Sequence, residues 1–192
     1  MLGKTHLELG YTTILTTYLT QPIITQNPLE FSSYSLGVLF GTLFVDIDSS
    51  NSTISKYIPM IRLGNKSNGA NHRRLPHTLC FVLLFTLVSL FITYTFLMNQ
   101  DLYKYLYLFI IGIAIGMISH LVLDTLNPKG IKWFYPICNK RFSIIGILTE
   151  NSSNNSEENK KKYSYIQRNG EKIIRFSLKS INFLLIIYII LL

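Results

Sequence analysis

A histidine and an aspartate stand four residues apart within an apolar stretch, GIAIGMISHLVLDTLNPKG, at residues 112–130. On a helix, His120 and Asp124 project from one face and lie about one turn from each other. The Asn-Pro and Lys-Gly pairs that follow indicate the end of this helix and a turn. Ionisable side chains at membrane depth are costly and usually mark a functional interior site. The pair therefore predicts a site for chemistry near the end of an apolar helix.

Further histidines and aspartates stand beside the other apolar stretches of the chain. His6 precedes the first stretch, Asp46 and Asp48 follow the second, and His72 and His77 precede the third. If these stretches cross a membrane in turn, all of these side chains reach the same face as the pair described above. The chain has only four histidines and four aspartates, so residues scattered at random over the surface would not be expected to gather in this way.

Imidazole and carboxylate groups together are typical ligands of zinc, manganese or iron. A catalytic metal needs about three to five protein ligands and one open position, and it lowers the pKa of a bound water so that hydroxide attacks at neutral pH. We therefore predict one or two divalent cations, zinc or manganese. The predicted ligands are His6, Asp46, Asp48, His77, His120 and Asp124.

Residues among and beside the predicted ligands are candidates for catalysis. Arg73, with His72 or Arg74, would stabilise negative charge on a phosphoryl or carboxyl oxygen, because a guanidinium offers two parallel donors that a lysine lacks. Whichever of Asp46 and Asp48 does not bind metal would act as general base. The predicted catalytic residues are Arg73, Asp48 and His72.

Each motif also has a structural interpretation when it is taken alone. A His-x-x-x-Asp pair is more often hydrogen-bonded than metal-binding, and the commoner use of aspartates beside a helix end is capping. Arg73 and Arg74 suit a topology signal or a contact with anionic lipid. The shared membrane face favours the metal site over these separate interpretations.

The elements that must position these residues are apolar helices. Hydrophobic residues make up 48% of the 192 residues and charged residues 15%, whereas soluble domains carry about a quarter charged residues. Lipid is the natural cover for this apolar excess. The net charge of +8 fits basic cytoplasmic loops better than nucleic-acid binding in such a chain. Cys80 and Cys138 fit neither a disulfide framework nor a cysteine zinc site.

The apolar stretches predict an all-α fold, a polytopic membrane helical bundle of about five helices. The predicted membrane helices cover residues 9–29, 31–45, 75–98, 105–123 and 173–192. The second stretch is short for a span of about 20 residues. We divide the chain into a membrane domain at 1–150 that carries the His/Asp site, a flexible polar linker at 151–172 and a C-terminal membrane helix at 173–192.

The distribution of charge predicts the orientation of the helices. The loops at 49–74 and 125–172 are basic, whereas the short connection at 99–104 is balanced. Because cytoplasmic loops carry the excess of lysine and arginine, the two basic loops and the N-terminus should be cytoplasmic. This predicts a multi-pass protein of the cell membrane with its His/Asp site at the cytoplasmic face.

Four motifs also resemble those of the YdjM-type family of bacterial inner-membrane proteins. They are GKTH ending at His6, DIDSSNSTIS from Asp46, HRRLPHT from His72 and GMISHLVLDTLNPKG from Gly116. The resemblance covers most of residues 1–147 and is specific in order and spacing. It implies an inner-membrane protein with metal-dependent hydrolase activity and implies no substrate. The chain departs from the family pattern at Val45 for proline, Ser49 for histidine, Arg74 for glycine and Pro76 for threonine.

These observations lead to three hypotheses. The first is a membrane-bound metal-dependent hydrolase whose partners are the lipid bilayer and an unknown ester or phosphoester substrate, with no nucleic acid. The alternative is a non-enzymatic scaffold or regulatory protein, in which the His and Asp side chains hold the helices together through interhelical hydrogen bonds. The third, a proton or ion pathway, would spread such residues through the depth of the membrane, whereas here they gather at one face.

Overall fold

A computed structural model of the chain describes residues 3–48, 76–127, 130–144 and 157–191. These residues form six α-helices and, apart from one isolated antiparallel bridge, no β-structure. The helices are α1 (Gly3–Thr20), α2 (Pro22–Thr25), α3 (Pro28–Phe44), α4 (Leu79–Leu97), α5 (Leu102–Thr125) and α6 (Glu157–Leu191), and a 3-10 turn at Val45–Asp48 follows α3. Because α2 is only one turn long, the described residues form five longer helices. The predicted all-α bundle is confirmed.

Three of the described helices are long and apolar enough to cross a membrane. They are α4, α5 and the part of α6 from Arg168 to Leu191. Large apolar side chains cover their outer surfaces, for example Leu84, Phe91 and Phe96 on α4, which are 64–77% exposed. Lipid is the cover that suits contiguous apolar surface of this kind. These helices correspond to the last three predicted membrane helices.

The first predicted membrane helix is broken into separate pieces. The helix α1 ends at Thr20 because the Gln21-Pro22 step disfavours helical backbone at the residue before the proline. Asn27 and Pro28 then start α3, and the Asn27 side chain accepts a hydrogen bond from the Leu29 backbone N–H. The expected single span over residues 9–29 is thus replaced by α1 and the short α2.

The helix α3 matches the second predicted stretch but is short for a membrane span. Its 17 residues give a length of about 26 Å, whereas the hydrocarbon core of a bilayer is about 30 Å thick. The helix instead packs against its neighbours, most extensively against α5 and also against α1. The function of α3 in the fold is therefore to form the centre of the bundle.

Four glycines bring α3 and α5 into close contact. Gly37 and Gly41 lie on α3, and Gly112 and Gly116 lie on α5. A Cβ atom on any of the four would clash with a backbone carbonyl oxygen of the opposite helix. Small residues spaced by four allow this close approach of helix backbones.

The apolar core lies next to this contact and includes α4. Its buried side chains are those of Val45, Val82, Ile113, Met117, Leu121 and Ile131, with Phe44, Phe81, Phe85, Phe109 and Trp133 packed against them. The helix α4 packs on α5 and begins at a well-formed cap, because the Thr78 side chain accepts a hydrogen bond from the Phe81 backbone N–H. The cap places the residue before Thr78, His77, at the start of α4.

The last helix, α6, begins earlier than predicted and packs on α1. Residues 157–172 are helical although they belong to the tract for which the sequence predicts a flexible linker; strong helix formers such as Glu, Lys and Arg are frequent there. Residues 151–156 lie outside the described residues. Thr5 donates to Glu171 at 2.9 Å, and Asn182 donates to the Glu8 carbonyl at 3.2 Å. These polar contacts hold α6 against α1.

Candidate metal centre

His120 lies in the last turns of α5, where a backbone contact orients its ring. Its Nδ1 is 2.7 Å from the carbonyl oxygen of Thr42 on α3. A carbonyl oxygen only accepts, so Nδ1 is the donor and the neutral ring keeps its lone pair on Nε2. That Nε2 is buried and makes no hydrogen bond with the described residues. A histidine held in this way by its other nitrogen is typical of metal ligands.

Two carboxylates lie near this nitrogen. The Asp124 side chain, one turn further along α5, places Oδ2 at 3.7 Å from Nε2 of His120. Asp46, in the 3-10 turn after α3, places Oδ1 at 3.6 Å from the same nitrogen. The close contact of α3 and α5 brings these two helix ends together. Asp124 is buried, whereas the Asp46 side chain is 19% exposed, so the cluster opens to its surroundings on the side of Asp46.

His77 closes the group from the start of α4. Its Nε2 lies 3.4 Å from Oδ1 of Asp46 and 3.6 Å from Oδ2 of Asp124, and the side chain is fully buried. His77 and His120 therefore approach the same two carboxylate oxygens from different helices. These four side chains, Asp46, His77, His120 and Asp124, are called the four-residue cluster below.

The distances within the four-residue cluster are compatible with a shared metal ion. The four nitrogen–oxygen distances are 3.4–3.7 Å, beyond the usual 2.7–3.2 Å range of N–H···O hydrogen bonds. Ligand atoms at about 2.0–2.2 Å from one tetrahedral zinc ion lie about 3.3–3.6 Å from each other. The buried Nε2 of His120, which has no hydrogen-bond partner among the described residues, and these separations are compatible with an ion between the side chains.

His6 contacts both His120 and Asp124. Its ring stacks on the His120 ring with the centroids 3.7 Å apart and an angle of 5° between the planes. Its Nε2 is 3.7 Å from Oδ1 of Asp124, whereas His77 and His120 lie near Oδ2. By position, His6, His120 and Asp124 form one possible ligand group and Asp46, His77 and His120 form another.

The two possible groups share His120, and this limits how many ions they can hold. Because Nδ1 of His120 donates to the Thr42 carbonyl, only Nε2 has a lone pair to offer. One lone pair binds one ion. The two overlapping groups therefore fit a single ion more readily than two separate ones.

The charge of Asp46 suits a metal ligand. Burial raises the pKa of its carboxyl, but the contact with His77 and the nearby His120 and His6 rings outweigh burial and lower the pKa to about 2. The group is therefore ionised at neutral pH, as a ligand must be.

The family of the chain follows from a match to a protein-family model. A family model described as "YdjM inner membrane protein" matches residues 1–191, which is almost the whole chain. The chain belongs to this family. Together with the three apolar helices, membership of the YdjM family indicates a membrane protein and confirms the resemblance found in the four sequence motifs.

Part of the chain is also similar in sequence to a protein of Bacillus subtilis strain 168. It carries the name "Uncharacterized protein YvsG", and 33% of 96 aligned residues are identical; these cover 50% of this chain and 52% of that protein. The match thus spans about half the length of the curated relative. No solved structure matches the YdjM-family chain described here.

The structure brings together five of the predicted ligands and leaves the remaining site residues undescribed. The five are His6, Asp46, His77, His120 and Asp124. The backbone of Asp48 belongs to the 3-10 turn, but its side chain lies outside the described residues, as do His72, Arg73 and Arg74 entirely. Their assigned roles stay predictions.

Two contributors to the cluster were not predicted from the sequence. The Thr42 carbonyl orients His120, and no side-chain pattern reveals a backbone acceptor. The second pair of glycines, Gly112 and Gly116, carries α5 into contact with α3. Their spacing by four, which repeats that of Gly37 and Gly41, was the signal for this helix contact.

Proposed function

We propose that this protein is a membrane-bound metal-dependent hydrolase whose four-residue cluster binds one divalent cation, zinc or manganese. The observation that supports the proposal best is the buried Nε2 of His120, which is oriented by Thr42 and lies near the oxygens of Asp46 and Asp124 without hydrogen bonding to them. Two imidazoles and two carboxylates suit either of these metals. When bound, such a cation acts as a Lewis acid and activates water at neutral pH.

Other residues are proposed to act as general base and to stabilise negative charge on the substrate. Asp46 is the partly exposed member of the cluster, so substrate and water would approach from its side. Asp48, two residues further along, is proposed as the general base that holds the proton of the attacking water. Arg73 and His72 are proposed to donate hydrogen bonds to the oxygen that gains negative charge. The substrate class, an ester or phosphoester, follows from this chemistry and from the location at a bilayer.

Hydrolysis is tested directly with the purified protein in detergent. Chromogenic carboxylic and phosphoric esters should be cleaved by the metal-loaded protein, and removal of metal by a chelator should abolish cleavage until zinc or manganese is restored. Asp48→Asn and Arg73→Lys should each lower kcat by about 100-fold while the metal content stays unchanged. A protein that binds metal stoichiometrically but cleaves neither class of ester under these conditions would contradict the hydrolase proposal.

His6 is proposed to act through Asp124. Its contact with the Oδ1 atom holds that carboxylate in place, so that Oδ2 faces the cation. Residues that orient metal ligands typically change metal affinity by 10–100-fold when they are removed. His6→Ala should therefore weaken zinc binding by about that factor without abolishing it.

The measurement for His6 is competition with a chelator of known affinity. Lys4→Ala, which changes a neighbouring residue on α1, is the control and should leave zinc affinity unchanged. If His6→Ala loses the ion completely, His6 is itself a ligand, as the sequence predicts.

A further inference from the structure

The loop that follows α5 is fixed to the ends of two membrane helices. In residues 130–144, called the interfacial loop here, the Trp133 indole donates to Thr125 at 3.0 Å, and the Leu79 backbone N–H donates to the Trp133 carbonyl at 2.9 Å. Thr125 ends α5 and Leu79 begins α4, and both helices are long enough to span a membrane. The interfacial loop therefore lies at the level where these helices leave the hydrocarbon region.

Backbone contacts hold the interfacial loop in a defined shape. Ile131 and Phe142 exchange two backbone hydrogen bonds of 2.9 and 3.0 Å, and the Ile131 side chain belongs to the buried core. Gly130, with φ of 59°, allows the chain to turn into this pair. The Cys138 N–H bonds to the Phe134 carbonyl at 2.8 Å and closes the tip. The tip is thus presented outward from an anchored base.

The outward side of the interfacial loop is apolar. Ile137 at the tip is 85% exposed, Ile144 54%, Phe134 46% and Phe142 41%. Four large apolar side chains within eleven residues of one loop form a patch of a kind that usually contacts another surface. Because the loop already lies at the membrane boundary, the adjacent surface is the bilayer itself.

The basic residues around this patch favour contact with anionic lipids. Lys140 and Arg141 are exposed next to Phe142. Lys132 donates to Asn139 at 3.1 Å and lies above the Tyr135 ring, which holds this third cation at the base of the tip. The sequence contains no acidic residue between Asp124 and Glu150. Apolar side chains bordered by cations are complementary to a leaflet that contains anionic lipids.

We propose that the interfacial loop is a docking element for anionic lipid. Phe134 and Ile137 insert into the headgroup region, and Lys132, Lys140 and Arg141 bind the phosphates of neighbouring anionic lipids. The proposal concerns a surface outside the four-residue cluster and holds whether or not that cluster binds metal. It also places anionic headgroups beside the end of the bundle at which the cluster lies.

The only tryptophan of the chain, Trp133, provides the measurement. The full-length protein in nanodiscs of zwitterionic lipid is titrated with brominated phosphatidylglycerol or brominated phosphatidylcholine, and quenching of tryptophan fluorescence is recorded. Each basic residue near an anionic surface is expected to change affinity by about fivefold. Arg141→Ser should therefore weaken the interaction with phosphatidylglycerol by about fivefold. The double variant Lys140→Ser/Arg141→Ser should weaken it by about 25-fold.

Matched variants separate charge from insertion. Lys104→Ser removes one charge at the opposite end of α5 and should leave the quenching unchanged. Ile137→Asp should reduce quenching by both brominated lipids, because a carboxylate replaces the apolar side chain that inserts into the headgroup region. His120→Ala should be quenched like the wild type, which distinguishes this proposal from the proposed hydrolase.

Three results would overturn the proposal. Trp133 could be quenched by aqueous iodide and by neither brominated lipid, which would place the loop in water. If the wild type and Arg141→Ser each bound phosphatidylglycerol and phosphatidylcholine with the same affinity, charge would not contribute to binding. Displacement of phosphatidylglycerol by inorganic phosphate at millimolar concentration would identify a soluble phosphate as the ligand instead of lipid.

Discussion

The His120→Ala variant is expected to purify without metal. In the wild type, we expect about one zinc or manganese ion per chain, and in the variant less than about one tenth of that amount, because the loss of a ligand removes far more affinity than the 10–100-fold change expected for an orienting residue. Nε2 of His120 is the nitrogen that both possible ligand groups share. Without it, each of these groups keeps only two ligands, and the four-residue cluster loses the one nitrogen that the Thr42 carbonyl orients.

Elemental analysis by mass spectrometry, on protein purified without chelator, measures this metal content. Ser119→Ala is the matched control, since Ser119 is the preceding residue on α5 and, among the described residues, its hydroxyl donates to the Gly116 carbonyl in its own helix. The control should retain a full equivalent of metal. A value near one ion per chain in the wild type also separates the single-ion proposal from a two-ion centre.

The same variant separates the hydrolase from the scaffold hypothesis. If a metal holds the cluster together, zinc should raise the melting temperature of the wild type and not that of His120→Ala, because a ligand stabilises only the state that binds it. If His120 serves only as an interhelical hydrogen-bond partner of Thr42, the variant should lose stability equally with and without zinc. That second result, together with a metal-free wild type, would contradict the metal centre.

The convergence of the cluster was predictable because few residue types contribute to it. Histidine and aspartate are rare in this chain, and all four histidines and three of the four aspartates stand near those ends of the apolar stretches that the order of the stretches places on one side. Alternating crossings of a membrane bring such ends to one face, so the approximate partners of His120 followed from the order of the stretches alone. The distances, and the separate contacts of His6 with one oxygen of Asp124 and of His77 with the other, depend on helix packing and required the structure.

The bounds of the first helices were less predictable, because hydropathy alone does not distinguish a membrane span from a buried helix. The residues before α3 are apolar enough to suggest one span, yet Pro22 and Pro28 divide them into separate helices. The polar contacts of α6 with Thr5 and Glu8 join residues more than 160 positions apart. No local pattern predicts contacts over such a separation.

The Gly41→Ala variant is expected to be much less stable than the wild type. A Cβ atom at this position would overlap the carbonyl oxygen of Ile113, which belongs to the backbone of α5 and cannot rotate away. The two helices must separate, and overpacking of this kind costs about 2–3 kcal/mol. For a chain of this size the melting temperature should fall by about 5–10 °C. Asp46, five residues beyond Gly41, should move away from His120 with α3.

Gly170→Ala is the control for the glycine substitution itself. Gly170 also lies within a helix, but a Cβ atom there would meet no atom of the described residues within 4 Å apart from its chain neighbours and its own helix backbone. Replacement of an unhindered helical glycine by alanine stabilises a helix by up to about 1 kcal/mol, so Gly41→Ala and Gly170→Ala should change stability in opposite directions.

Both glycine variants are melted after treatment with a chelator, so that a change in stability is measured apart from any loss of metal. Zinc affinity is then measured on the same preparations by competition. Gly41→Ala should bind zinc more weakly than the wild type at a temperature where it is fully folded, because the carboxylate of Asp46 depends on α3 for its position and the imidazole of His120 depends on α5. An unchanged zinc affinity in a destabilised Gly41→Ala protein would show that the close crossing of α3 and α5 supports the fold without positioning the cluster.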